Sequence, residues 1–174
     1  MILLQLEIPL ETVEYVARKA TETHTPLMLD PAPAQTVPGT LLKDVAWLTP
    51  NESEQAILLD GWTASPEETA KRLLGRGVKN VALKLGRNGA YVAGVNCLPQ
   101  LVPGFLVEAI DTTAAGDIFN AAFAVALVEG QMAGEAARFA TAAAAIAVTR
   151  RGSQASAPSR REVLDLLASA SSKA

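Results

Sequence analysis

With 174 residues, 49% of them hydrophobic and 19% charged, the chain has the apolar material for one domain with a real core, and too little length to expect two. Its net charge of -3 is spread without a basic stripe, which argues against a nucleic-acid partner. Cys97 is the only cysteine, so disulfide frameworks and cysteine metal clusters are excluded, and a reducing cytoplasm is the expected setting.

The opening "MILLQLEIPLE" has no basic leader or small-residue cleavage site, and Glu7 and Pro9 break its apolar stretch. Neither a signal peptide nor a membrane anchor is expected from it. Ile2–Leu6 has strand character and is followed by "LETVEYVARKATET", where Val13, Val16, Ala17 and Ala20 share one helical face. Leu27–Leu29 before Asp30-Pro31 and Val45–Leu48 before Thr49-Pro50-Asn51 are two further strands. Nearly unbroken apolar strands alternating with helices predict an α/β protein whose parallel sheet is covered by helices.

"SPEETAKRLLGRG" predicts a helix with Ser65 as N-cap, Pro66 in its first position, Glu68 completing a capping box and glycines at its end. Strand Val81–Leu85 follows. From Gly89 to Val107 the segments "GAYVAG", "CLPQLVP" and "FLVEAI" predict a small antiparallel meander at the sheet's edge. Helices are expected at Gly116–Glu129, Ala133–Thr149 and Ser159–Ala170, with "SASSKA" as a frayed tail. The apolar runs Ile118–Val128 and Phe139–Val148 are far short of the ~18–20 residues that span a bilayer. No repeat or linker divides the chain. His24 in "ETHTP" reads as a solvated loop residue, and Trp47 and Trp62 as packing residues.

Ligands of open α/β sheets collect beyond the carboxyl ends of the strands, where Glu7, Asp30 and the "TPNESE" segment fall. Asn51 and Glu54 have the spacing of a helix cap and its reciprocal box, and equally the oxygen chemistry of a metal–phosphate cluster. In "LKLGRNGAYV", Gly86 and Gly89 suit a hairpin turn or the close approach of a nucleotide, with Lys84 in reach of a phosphate or ribose. "DTTAAGD" leads into an apolar helix without a bulky side chain. Either Asp111 or Thr113 caps that helix, or the amides of Ala114, Ala115, Gly116 and Asp117 face an anion with Asp117 placed as a base.

Taken together, "DTTAAGD" before a helix, "TPNESE" after a strand and "LKLGRNGAYV" between them resemble the C-terminal part of the PfkB-type carbohydrate kinases. "LLQLEIPLE", "DPAPAQ", "VPGFLVEAIDTTAAGD" and "RFATAAAAIAVTRRGSQASAP" follow the same family in order, so the resemblance runs from about Ile2 to Leu167. It implies the ribokinase-like α/β/α sandwich, three layers with a mostly parallel sheet, present here as a single domain without the family's N-terminal half and sugar lid. The implied activity is transfer of the ATP γ-phosphoryl group to a sugar hydroxyl, with D-ribose giving ribose 5-phosphate, aided by Mg²⁺ and K⁺. The competing expectation is a nucleotide-binding fragment, inactive alone or in need of a partner chain.

By the same resemblance Asp117 is the catalytic base and Ala114, Ala115 and Gly116 complete the anion hole. Asn51 and Glu54 match the family's N-x-x-E element for Mg²⁺ and phosphate, and Glu7 a carboxylate that touches the sugar. Lys84, Gly86 and Gly89 fall where the nucleotide binds, Lys84 standing where threonine or serine is common. Thr141 falls near the adenine pocket, where Asn or His is more usual. Asp111, Thr113, Ala147, Arg150, Gly152 and Ser156 match the loops that hold K⁺. The family's glycine-rich "GGKGxN" element and lid strands have no counterpart in this sequence. The chain therefore reads as a truncated gene product or a deliberately shortened one, with an open apolar sheet edge at Ile2–Leu6, expected to self-associate or to pair with a companion chain that supplies the missing strands.

Overall fold

In a computed structural model, which describes residues 1–95 and 97–171, the first apolar run forms strand β1 (Ile2–Leu4) and the next segment helix α1 (Leu10–Glu22). Val13, Ala17 and Ala20 are buried, the spacing of one helical face. Then follow β2 (Leu27–Leu29), α2 (Gly39–Asp44), β3 (Trp47–Leu48), α3 (Glu52–Leu58), α4 (Pro66–Gly75) and β4 (Asn80–Lys84). β1, β2, β3 and β4 pair in parallel, with Ile2 opposite Leu27, Met28 opposite Trp47 and Leu48 opposite Val81. β3 starts two residues later than expected because the Val45 N–H still closes α2 by bonding the Leu42 carbonyl.

A 3-10 turn (Gly86–Asn88) leads to β5 (Ala90–Gly94), and β6 (Cys97–Val102) follows. The Val95 N–H donates to the Lys79 carbonyl at 3.1 Å, tying the open end of the β4–β5 hairpin. Six strands in sequence order, β1 to β6, make one mixed sheet among the described residues. Its edges are β1 and β6. β6 carries Pro99, which has no N–H to offer a further strand. The third expected meander segment, Phe105–Ile110, is not a strand. The N–H groups of Ile110 and Asp111 both go to the Val148 carbonyl, so its end is drawn to a helix terminus instead of a ladder.

The chain packs as two compact units: Met1–Leu85 with Tyr91–Leu101, and Gly86–Ala90 with the described residues from Val102 on. In the first, Val13, Leu27, Leu29, Leu48, Leu73, Val81 and Leu83 are fully buried. Each such side chain contributes about 1.5–3 kcal/mol by leaving water. The second holds α5 (Ala115–Val128), α6 (Ala133–Ala147) and α7 (Arg160–Ser171). α5 and α6 pack through small side chains, among them the buried Ala126, Ala136, Ala140 and Ala143, and the Phe119 and Phe123 rings stack at 5.8 Å. Gly89 is required here: its φ is +97°, and a Cβ would lie 2.0 Å from the Val102 carbonyl oxygen. Among the described residues no helix is long and apolar enough to cross a membrane. Of the expected tail, Ser169 and Ala170 belong to α7, and residues 172–174 lie outside the described residues.

Candidate active site

In the first unit, the carboxyl ends of the parallel strands bring charges into a buried place. Asp30 follows β2, Lys84 closes β4, and Glu54 stands in the first turn of α3. The Lys84 ammonium donates to both Asp30 carboxylate oxygens at 2.9 Å and lies 4.0 Å from Glu54 Oε2. Side-chain exposure is 11% for Lys84 and 6% for each carboxylate, and buried charges at this depth require partners. Asn51 forms the full capping box: its Oδ1 accepts from the Glu54 N–H at 3.0 Å, and Glu54 Oε2 accepts from the Asn51 N–H at 2.7 Å. Glu54 Oε1 also accepts from Asn51 Nδ2 at 2.7 Å.

Burial raises the Glu54 pKa above the usual carboxylate value; the Asn51 N–H and Lys84 oppose the rise, and nearby Asp30 adds to it. Asp30 was placed by the sequence at the ligand end of the sheet but was given no role there. Its position at a strand end was visible, but its partner lies 54 residues away.

In the second unit, "DTTAAGD" folds as a turn into α5. Neither Asp111 nor Thr113 caps the helix: the N-cap residue is Ala114, at φ +59°, and it makes no side-chain cap hydrogen bond. The left-handed conformation is unusual for a residue with a Cβ and costs about 1–2 kcal/mol. The Ala115 N–H donates to the Thr112 carbonyl at 3.2 Å. Asp117 is exposed in the first turn of α5. A 14-residue helix that begins without a side-chain cap leaves backbone donors and a dipole suited to an anion.

Asp111 braces this turn. Its Oδ1 accepts from the Thr113 N–H at 2.9 Å, and its Oδ2 from the Gly152 N–H at 3.0 Å, joining the loop before α5 to the loop after α6. The Thr113 hydroxyl, the Gly152 N–H and the Thr113 N–H together lower its pKa to about 2. At the end of α6 and in the loop after it, the Ala147 carbonyl accepts from the Arg150 N–H, and the buried Ser156 donates its hydroxyl to the Ser153 carbonyl at 2.8 Å. The Arg150 side chain turns to Glu162.

The structure thus brings Asn51, Glu54 and Lys84 together, and joins Asp111 with Thr113 and Gly152. Glu7 is exposed beyond β1. Gly86 (φ +54°) and Gly89 make the turn after β4. Thr141, in α6, is 7% exposed, and its buried hydroxyl oxygen has no hydrogen-bond partner among the described residues. Among the described residues no three His, Cys, Asp or Glu side chains gather as a metal cluster. The Asn51–Glu54 pair fits a divalent ion that takes most of its ligands from phosphate and water. Asp111, Ala147 and Ser156 each offer oxygen donors only, the chemistry an alkali cation takes.

The model of the pfkB family of carbohydrate kinases matches residues 3–160. The chain is 42% identical over 170 residues to the ribokinase of Haemophilus influenzae, covering 95% of this chain and 55% of that protein. It is likewise 42% identical to the Bacillus subtilis ribokinase over 168 residues, 96% of this chain and 55% of that one. Among solved structures, Thermotoga maritima ribokinase superposes with a TM-score of 0.86 at 45% identity, covering 95% of this chain and 55% of that chain. Arabidopsis thaliana ribokinase, solved with ribose and ATP, gives 0.88 at 37% identity with the same coverage. The fold is therefore ribokinase-like, and the chain spans about half the length of the curated relatives it matches.

Proposed function

Because the chain belongs to the pfkB family of carbohydrate kinases, we propose that it is the part of a sugar kinase that handles ATP and the transferred phosphoryl group, with D-ribose as the sugar and ribose 5-phosphate as product. We take its 174 residues as one ribokinase-like domain working in the cytoplasm. The observation that carries the reading is the start of α5, where a turn held by Asp111 opens a helix with no side-chain cap and sets Asp117 in its first turn.

In this reading Asp117 accepts the proton of the sugar's primary hydroxyl as its oxygen attacks the γ-phosphorus and the bond to the β–γ bridging oxygen breaks, releasing ADP. The proton leaves late in a loose transition state, so a weak base in the right place is adequate. Amides of the Ala114–Asp117 turn, Gly116 foremost because Ala115 donates to Thr112, meet the charge on the transferred group. Gly86, Gly89 and Thr141 serve the nucleotide, with the Thr141 hydroxyl as the polar contact to the base. Glu7 contacts the sugar. Mg²⁺, when bound, neutralises phosphate charge, and Asn51 and Glu54 would hold its waters. K⁺ would be held by Asp111, Thr113, Ala147, Arg150, Gly152 and Ser156, mainly through carbonyl oxygens.

A coupled ATP assay with ribose, repeated on Asp117→Asn, tests the proposal. Ribose-dependent turnover lost in the variant supports it; ADP binding without turnover supports a nucleotide-binding fragment that works only with a partner chain. That second reading draws on β1, an edge strand whose Leu3 is 44% exposed and whose outer side has no neighbouring strand among the described residues. It extends to self-association through that edge. Sedimentation showing only monomer at high concentration would remove it.

A further inference from the structure

The Lys84 ammonium has two of its three donors on the Asp30 carboxylate and sits 4.0 Å from Glu54. Glu54 in turn is fixed from the helix side, since both of its oxygens accept from Asn51. The cluster thus holds two carboxylates, one ammonium and very little water-exposed side chain. An ammonium and a divalent ion want the same place, because both need negatively charged oxygen donors. Two cations between one pair of carboxylates repel strongly where the surroundings are dry. We infer that Lys84 is the resident cation of the Asp30–Glu54 pair, a positioning residue that holds the Asp30 carboxylate beside Glu54 and keeps a free divalent ion from settling between them. This exclusion does not depend on the proposed reaction. Its consequence does: under that reading Lys84 acts through the two carboxylates and does not touch the nucleotide.

The test uses Mn²⁺ alone, with no nucleotide or sugar, followed by electron paramagnetic resonance of the free ion titrated with the whole chain. Lys84→Met and Lys84→Thr are each expected to gain one Mn²⁺ site, at least about tenfold tighter than anything wild type shows at this cluster. The added site should vanish when Asp30→Asn is introduced beside either substitution, and Lys84→Arg should keep the ion out as wild type does. A folded Lys84→Met or Lys84→Thr chain without added Mn²⁺ binding overturns the inference. So does wild-type binding of equal strength that Asp30→Asn removes. Should neither variant fold, the wild-type chain decides through the ¹⁵N resonance of the Lys84 ammonium. Persistence of a sharp signal in millimolar Mn²⁺ supports the inference, and paramagnetic broadening at Lys84 overturns it. None of these readouts moves if the kinase reading fails, and a dead ribose assay leaves them intact.

Discussion

The two charged regions of this chain treat the same kind of side chain in opposite ways. At Glu54 a buried carboxylate is pushed up in pKa and held by a capping box beside a lysine. At Asp111 a loop carboxylate is pulled down to about 2 by a neighbouring hydroxyl and backbone amides. In the first region charge is balanced mostly by other side chains, so a single substitution strands a buried ion. In the second it is met by one hydroxyl and two backbone amides, and the amides stay in place when a side chain is replaced. Chemistry should therefore be separable from folding at the start of α5, and inseparable from it between Asp30, Lys84 and Glu54.

The largest expected effect tests that separation directly. Under the proposed reaction Asp117→Asn should lower ribose-dependent turnover by about 10²–10⁴-fold while the thermal melt hardly moves. A large drop in melting temperature would instead show that the exposed region is structural. Next, Lys84→Met should cost about 3–5 kcal/mol in denaturant unfolding, because it leaves Asp30 beside Glu54 without their cation. A loss near zero would erase the contrast between the two regions.

Asn51→Ala, which removes the cap of α3, should cost about 0.5–2 kcal/mol by the same measurement. At α5 the corresponding position should respond with the other sign. Ala114→Gly relieves a left-handed residue and should gain up to about 1 kcal/mol.

The smallest effect is a matter of pH. Asp111 falls to about 2 in the folded chain, below its unfolded value of about 3.9. Its contribution is complete above the unfolded value and is lost as pH falls through about 2. Glu162 titrates over the same window, so the informative quantity is the difference between wild type and Asp111→Asn in melting temperature against pH. That difference should shrink as acid is added. Glu54 has the opposite sign: its raised pKa makes its ionisation oppose folding as pH rises through the folded value.

Where a signal is carried by neighbours along the chain, the residues alone determined the outcome. The Asn51–Glu54 box, the Ser65 cap with Pro66 behind it and the apolar face of α1 were all legible, because helix caps and faces are set by spacings of three and four residues. Strand β2 was legible to the residue, since an apolar run ending at Asp30-Pro31 has one way to be buried. Tertiary structure decided the rest. Phe105–Ile110 has strand composition, yet a strand needs a partner, and its last amides went to Val148. Asp111 and Thr113 looked like caps, but the Asp111 carboxylate was claimed by Gly152 from a loop far along the chain, leaving α5 uncapped. Lys84 looked free to reach a ligand until parallel pairing of β2, β3 and β4 carried Asp30 to it. A local pattern states what a residue is able to bond, and only the packed chain settles which able partner arrives.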